Sequence, residues 1–206
     1  MQVLLDGHPV RTQNASLAAA FAAGVDAAQA QGRIIVEVRF DGEPVSQATY
    51  ETITDGPTSV REVRFTSAHR GDTVREALGD AAATVDAIRA NQSAAGEHLQ
   101  AGNLDASLPH IDAAVKAWQV VRDTLVQGAA LAEIDLATYT LPAEIGTLDG
   151  AIADLARLLK DLNAAIRKRD LVDTADLMLY DLNDQATRWR ALLSAVAASI
   201  PAGDRA

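Results

Sequence analysis

Two hydrophobic periods divide the chain. From Met1 to His69 apolar and polar residues alternate in short runs, and beyond that apolar residues recur every three or four positions. In "RIIVEVRF" Val36, Val38 and Phe40 fall on one side and Glu37 and Arg39 on the other, the period of a half-buried strand. "QVLL", ending at Asp6-Gly7, and "SVREVRF", with Val63 and Phe65 against Glu62 and Arg64, predict two more strands. Between the first two lies "ASLAAAFAAGVDAAQAQG". Ser16 can cap a helix there, Leu17, Phe21 and Val25 supply a narrow apolar stripe, and Gly32 can close it. The order strand-helix-strand-strand predicts a helix over one face of a small sheet, its first two strands parallel if the crossover joins neighbours.

The phrase "DGHPV" at 6–10 returns as "DGEPV" at 41–45. Asp-Gly suits a turn with positive φ, and proline limits further pairing. We read both as turn chemistry used twice rather than as a paired binding edge.

After "TSAHRGD" the period becomes a heptad. Thr73 and Glu76 have the spacing of a capping box. Val74, Leu78, Ala81, Val85, Ile88, Gln92, Ala95 and Leu99 then recur in steps of four and three until Gly102-Asn103. Asp105 or Ser107 is expected to cap the next helix, with Pro109 in its first turn and Leu108, Ile111, Val115, Trp118 and Leu125 as its stripe. "DLATYTLP" interrupts the pattern near Pro142. Ile145, Leu148, Ile152, Leu155, Leu159, Leu162 and Ile166 mark a third helix, and Leu171, Ala175, Met178, Leu182, Trp189, Leu193 and Val196 a fourth that stops before Pro201. Four one-sided helices hide their apolar faces against each other. The expected fold is therefore α+β: a small domain over 1–69, an antiparallel four-helix bundle of two helical hairpins over 70–200, and a short tail over 201–206. The two hairpins share a plan in which a tight polar turn precedes an Asp-initiated helix bearing Trp118 or Trp189, so both rings are expected on equivalent faces.

Composition narrows the function. Aromatic residues make up only 4% of the 206, so Ala, Leu, Val and Ile must fill the core. A formal charge of −10 with no basic stripe argues against nucleic acid. Without cysteine there is no disulfide, thiolate nucleophile or cysteine zinc site. "MQVLLDGHPV" lacks the form of a signal peptide, and no apolar run approaches the roughly 18 residues of a membrane span. A soluble, cytoplasmic protein is expected, and the excess of alanine and of arginine over lysine suggests a bacterial-like, GC-rich coding sequence.

The densest chemistry lies in "RKRDLVDTADLMLYDLNDQATRWRALLSAV", Arg167 to Val196, with five aspartates. Asp170 suits a helix cap after a basic last turn, and Asp173 suits the first turn. Asp176 lies off the apolar stripe. Asp184 precedes Arg188 by four, the spacing of a surface pair. The segment lacks the oxygen spacing and glycine of a calcium loop. A solvated face plus caps accounts for these carboxylates, with Tyr180, Asp181 and Asp184 as candidate partner contacts. Met178 and Trp189 are assigned to the core, the indole N–H meeting a partner at the stripe's margin.

No nucleophile elbow, phosphate loop or dinucleotide motif occurs, and "GEHLQ" does not supply the Glu-x-x-His of a di-metal bundle. No catalytic residue and no cofactor are implied. His98 and His110 flank the turn between the first two bundle helices and could meet at one end, the sharpest metal alternative. The favoured reading is a non-catalytic protein-interaction module that offers an acidic bundle to another protein, through an amphipathic helix or a basic segment. An outer strand of the sheet could also pair with an extended peptide. The alternative is a metal- or small-ligand-binding bundle, with enzymatic activity left open.

"LLKDLNAAIRKRDLVDTADLMLYDLNDQATRWRALL", a helical hairpin with a charged turn, resembles the hairpins of flagellar and type III export chaperones, small acidic helical proteins that hold secretion substrates. The resemblance covers the last quarter of the chain, and the N-terminal strands depart from it. It implies an adaptor or chaperone-like role and assigns no binding residue.

Overall fold

A computed structural model describes residues 1–46, 49, 58–134, 139 and 146–201. The described residues divide into two compact units between Thr73 and Val74. The first is α+β and the second is a helical bundle.

In the first unit, β1 (Gln2–Leu5), β2 (His8–Pro9), β3 (Arg33–Phe40), β4 (Glu43–Pro44) and β5 (Glu62–His69) form one sheet in the order β2-β1-β5-β3-β4. The helix α1 (Leu17–Gln29) crosses between β1 and β3, but these are not neighbours. β5 lies between them, parallel to β1 and antiparallel to β3. Val63 and Phe65 of β5 are wholly buried, so the central place goes to the strand that gains most from cover on both edges.

Both Asp-Gly pairs adopt positive φ, Asp6 49° with Gly7 84° and Asp41 48° with Gly42 93°, as two-residue turns of the I′ type require. Each aspartate also reaches β5. Asp6 accepts from the Ser67 N–H at 2.8 Å and its hydroxyl at 2.6 Å, while Asp41 accepts from the Glu62 N–H at 2.8 Å and the Arg61 N–H at 3.0 Å. Burial opposes charge on Asp6 most strongly. The Ser67 hydroxyl and N–H, together with Arg33 and His8, overcome it and hold the carboxyl below the usual carboxylate value. The repeated phrase thus clamps the central strand at both ends. The outermost strands are two residues long and each carries a proline, which blunts the edges where an extended peptide was expected to add.

Two expectations about faces fail here. Val36 is 51% exposed because a bulge between Ile35 and Glu37 interrupts the alternation and leaves Ile35 against the core instead. In α1, capped by Ser16 through the Ala19 N–H at 3.2 Å, Val25 is exposed and Ala20, Gly24 and Ala28 are buried. The small residues face the sheet because a Cβ at Gly24 would overlap the Phe65 ring.

The bundle helices are α2 (Arg70–Gln100), α3 (Leu104–Leu131), α4 (Leu148–Lys168), and a last run formed by α5 (Leu171–Asp176), a π-helical turn (Leu177–Asp181) and α6 (Leu182–Ser199). All eight heptad positions of α2 from Val74 to Leu99 are buried. The capping box does not form. Because α2 starts at Arg70, Thr73 lies inside it and its hydroxyl donates to the His69 carbonyl at 3.1 Å. α3 also begins early. Asn103, rather than Asp105 or Ser107, is its cap, accepting from the Ala106 N–H at 3.1 Å, so Pro109 falls in the second turn. Its buried stripe runs through Ile111, Ala114, Trp118, Val121 and Leu125, leaving Leu108 exposed and Val115 half-buried. The break at Pro142 and the start at Ile145 lie outside the described residues.

Antiparallel neighbours are seen in cross-contacts. Arg89 meets Asn183 at 2.9 Å, Arg190 meets Asp86 at 2.7 Å, and Asn91 meets His110 at 3.2 Å. Trp118 and Trp189 meet edge to face in the core, ring centroids 5.6 Å apart. Both indole N–H groups are buried without a hydrogen-bond partner among the described residues, contrary to the partner expected at the margin.

Gln92 is 1% exposed, and among the described residues neither its amide N nor its O has a partner. An unsatisfied buried amide costs about 1–3 kcal/mol. Replacing it with leucine, which fits the heptad, is expected to raise stability by about 1–2 kcal/mol in a denaturant titration. A loss of stability would show that the amide is satisfied in solution.

Candidate functional site

The last helical run places the aspartates of Arg167–Val196. Arg169 turns the chain with φ 56°, and Asp170 caps α5 by accepting from the Asp173 N–H at 3.0 Å. Asp170 and Asp173 thus serve the helix end, as their spacing predicts, and Asp176 is exposed. At the next residue the helix widens. The Leu182 N–H bonds back to the Leu177 carbonyl, five residues earlier, which is the hydrogen bond of a π turn. Nothing in the heptad spacing announces it. Gly96 of α2 is the tertiary counterpart, since a Cβ there would overlap the Leu179 side chain packed against it. Leu177 and Met178 are buried, whereas Tyr180 stands 60% exposed.

Asp181 at the end of this turn and Asp184 in the first turn of α6 line a cleft of about 520 Å³ against α4, lined also by Asp154, Arg157, Leu158 and Arg188. A smaller recess near the start of α4, of about 150 Å³, shares Asp154, Gln185 and Arg188 with it. Gln185 is buried and donates to the Ala151 carbonyl at 3.2 Å, tying the two helices together at the cleft floor. The two arginines are already paired. Arg157 pairs with Asp161 at 3.3 Å, and Arg188 lies 3.9 Å from Asp154. The expected Asp184–Arg188 pair does not form because the guanidinium crosses to α4. Among the described residues Asp181 and Asp184 have no ion-pair partner, so the unpaired charge of the cleft is negative.

The sequence therefore located the aspartates but not the wall opposite them. Asp154 and Arg157 lie off the apolar stripe of α4 and carry no motif that would mark them. Gln185 left a usable signal, a polar residue at a stripe position between Leu182 and Trp189.

At the other candidate place the structure brings His98 and His110 together. Their rings are nearly parallel, 21° apart in plane with centroids separated by 5.6 Å, and both residues are half-buried. Asp112, close by in sequence, is paired with Lys116 at 2.7 Å. Among the described residues no group of three or more His, Asp or Glu side chains converges as a metal cluster, and no helix is long and apolar enough to cross a membrane. Comparison with family models, with curated proteins and with solved structures gave no match.

Proposed function

We propose that the chain is a non-catalytic interaction module, an adaptor or chaperone-like protein whose α4–α6 cleft receives a basic segment of another protein. The observation that carries this reading is the pair of carboxylates, Asp181 and Asp184, that line one cleft and have no ion-pair partner among the described residues, with the exposed Tyr180 next to Asp181 in the chain. A basic segment would give these carboxylates the partners they lack, and Tyr180 offers apolar area with a polar tip, the type of side chain enriched at interfaces. The formal charge of −10 adds long-range attraction that speeds encounter more than it tightens the complex. The π turn supports the reading, since such turns are frequent at functional sites. The likeness of the last quarter to export-chaperone hairpins points the same way.

The test is fluorescence anisotropy of a labelled amphipathic peptide rich in Lys and Arg, with an acidic peptide of equal length as the contrast. Wild type is expected to bind the basic peptide, with affinity falling as salt rises. Asp181→Asn with Asp184→Asn should weaken binding about tenfold, equivalent to about 1.4 kcal/mol. Stability should stay within about 0.5 kcal/mol, since both side chains are exposed. Equal affinity in the double variant, or equal binding of the acidic peptide, would remove the cleft from the function.

A further inference from the structure

We propose that His98 and His110 form a two-histidine site for a divalent first-row transition-metal ion where α2 turns into α3, its remaining coordination positions open to water or an incoming donor. The proposal does not depend on the α4–α6 cleft. The two side chains come from consecutive antiparallel helices, so the turn at Gly102-Asn103 sets their separation. With metal–nitrogen bonds of about 2.0–2.1 Å, two imidazoles on one ion hold their ring centroids roughly 5–6 Å apart. The observed 5.6 Å lies in that interval, and because the rings are stacked, 21° apart in plane, one of them must turn about its Cβ–Cγ bond to aim its nitrogen at a shared ion.

A second observation concerns Asn91. Its Oδ1 lies 3.2 Å from His110 Nδ1. An amide oxygen only accepts, so Nδ1 carries the proton and the lone pair is left on Nε2. Ligating histidines are oriented in this way, with the ring nitrogen away from the metal donating to a carboxylate or carbonyl. Among the described residues no hydrogen bond engages the His98 ring, which leaves its nitrogens available. The Asn91 contact satisfies the Nδ1 proton with or without a metal, and it leaves Nε2 as the nitrogen that an ion would take.

The donor set selects the ion. Neutral imidazole suits zinc, nickel and copper and is a poor ligand for calcium and magnesium, which prefer oxygen. The negative charge of the chain raises the local concentration of any cation. Two protein ligands leave positions unfilled, the arrangement of a site that also takes an external donor.

The full chain, free of any histidine tag, should be titrated calorimetrically with zinc chloride and separately with nickel chloride. One ion per chain is expected. His98→Ala and His110→Ala should each weaken uptake by more than tenfold. Asn91→Ala, which leaves both ligands in place, should weaken it about tenfold by freeing the His110 tautomer. His8→Ala should match wild type. Far-UV circular dichroism of each variant distinguishes loss of a ligand from loss of the bundle. No saturable uptake by wild type, uptake that persists in the His98→Ala/His110→Ala double variant, or an equal loss in His8→Ala overturns the proposal.

Discussion

Leu155→Asp is expected to abolish the cooperatively folded bundle. Leu155 is 1% exposed in the middle of α4, within the core that contains both tryptophans. Truncating a buried leucine already costs about 3–5 kcal/mol, and here a carboxylate without a partner replaces the lost methyl groups. The sum approaches the whole stability of a domain, about 5–15 kcal/mol. Far-UV circular dichroism should lose its helical signal and its sharp thermal transition. Leu159→Asp, one turn on and only half-buried, should cost distinctly less. A Leu155→Asp protein that still melts cooperatively near the wild-type temperature would show that α4 does not bury the face assigned to it.

Gly24→Val should have the largest effect in the N-terminal unit. Most helix-interior glycines are liabilities of about 1 kcal/mol relative to alanine, so replacing them usually helps. Gly79 of α2 is such a case: a Cβ there meets nothing within 4 Å, and Gly79→Ala is expected to gain about 0.5–1 kcal/mol. At Gly24 the sign reverses. The added atom meets the ring of Phe65, which is fully buried and held edge-on by Phe21 with centroids 5.2 Å apart. Overpacking of this kind costs about 1–3 kcal/mol per added group, and valine adds two methyls beyond Cβ. A loss of about 3 kcal/mol or more is expected, read as faster amide exchange at Val63 and Phe65. Unchanged or slower exchange at those amides would mean that the ring yields and that the close approach of α1 to β5 is not essential.

The contrast between the two glycines shows where local sequence stops being informative. Both interrupt a helical pattern and look alike as letters. What differs is the residue opposite, which lies 41 positions away for Gly24. The same holds for Gly96, whose counterpart is Leu179 on the widened turn. It holds for Val36 as well, expelled from the core by a bulge that depends on pairing with β5.

Polar sites divide in the same way. Asp170 is legible because a cap acts on its own chain three residues ahead. The meeting of His98 and His110 is legible because a short turn folds one helix back along the other. Asp154 opposite Asp181 and Asp184 is not, since which helix faces which, and at what height, is set by how four stripes close together. The crossing of Arg188 to Asp154 instead of Asp184 follows from that closure.

By itself, then, the order of residues determined the two hydrophobic periods, the heptad of α2 from Val74 to Leu99, the paired Asp-Gly turns and the division into a small sheet and a bundle. Each of these rests on interactions within a few positions along one segment, where spacing and turn chemistry suffice. Tertiary packing alone decided that β5 lies between β1 and β3, that the last helix widens at Leu177–Asp181, and that a negatively charged cleft opens between α4 and α6. Those outcomes depend on side-chain volumes meeting across distant segments, and a pattern of polar and apolar letters carries no record of volume.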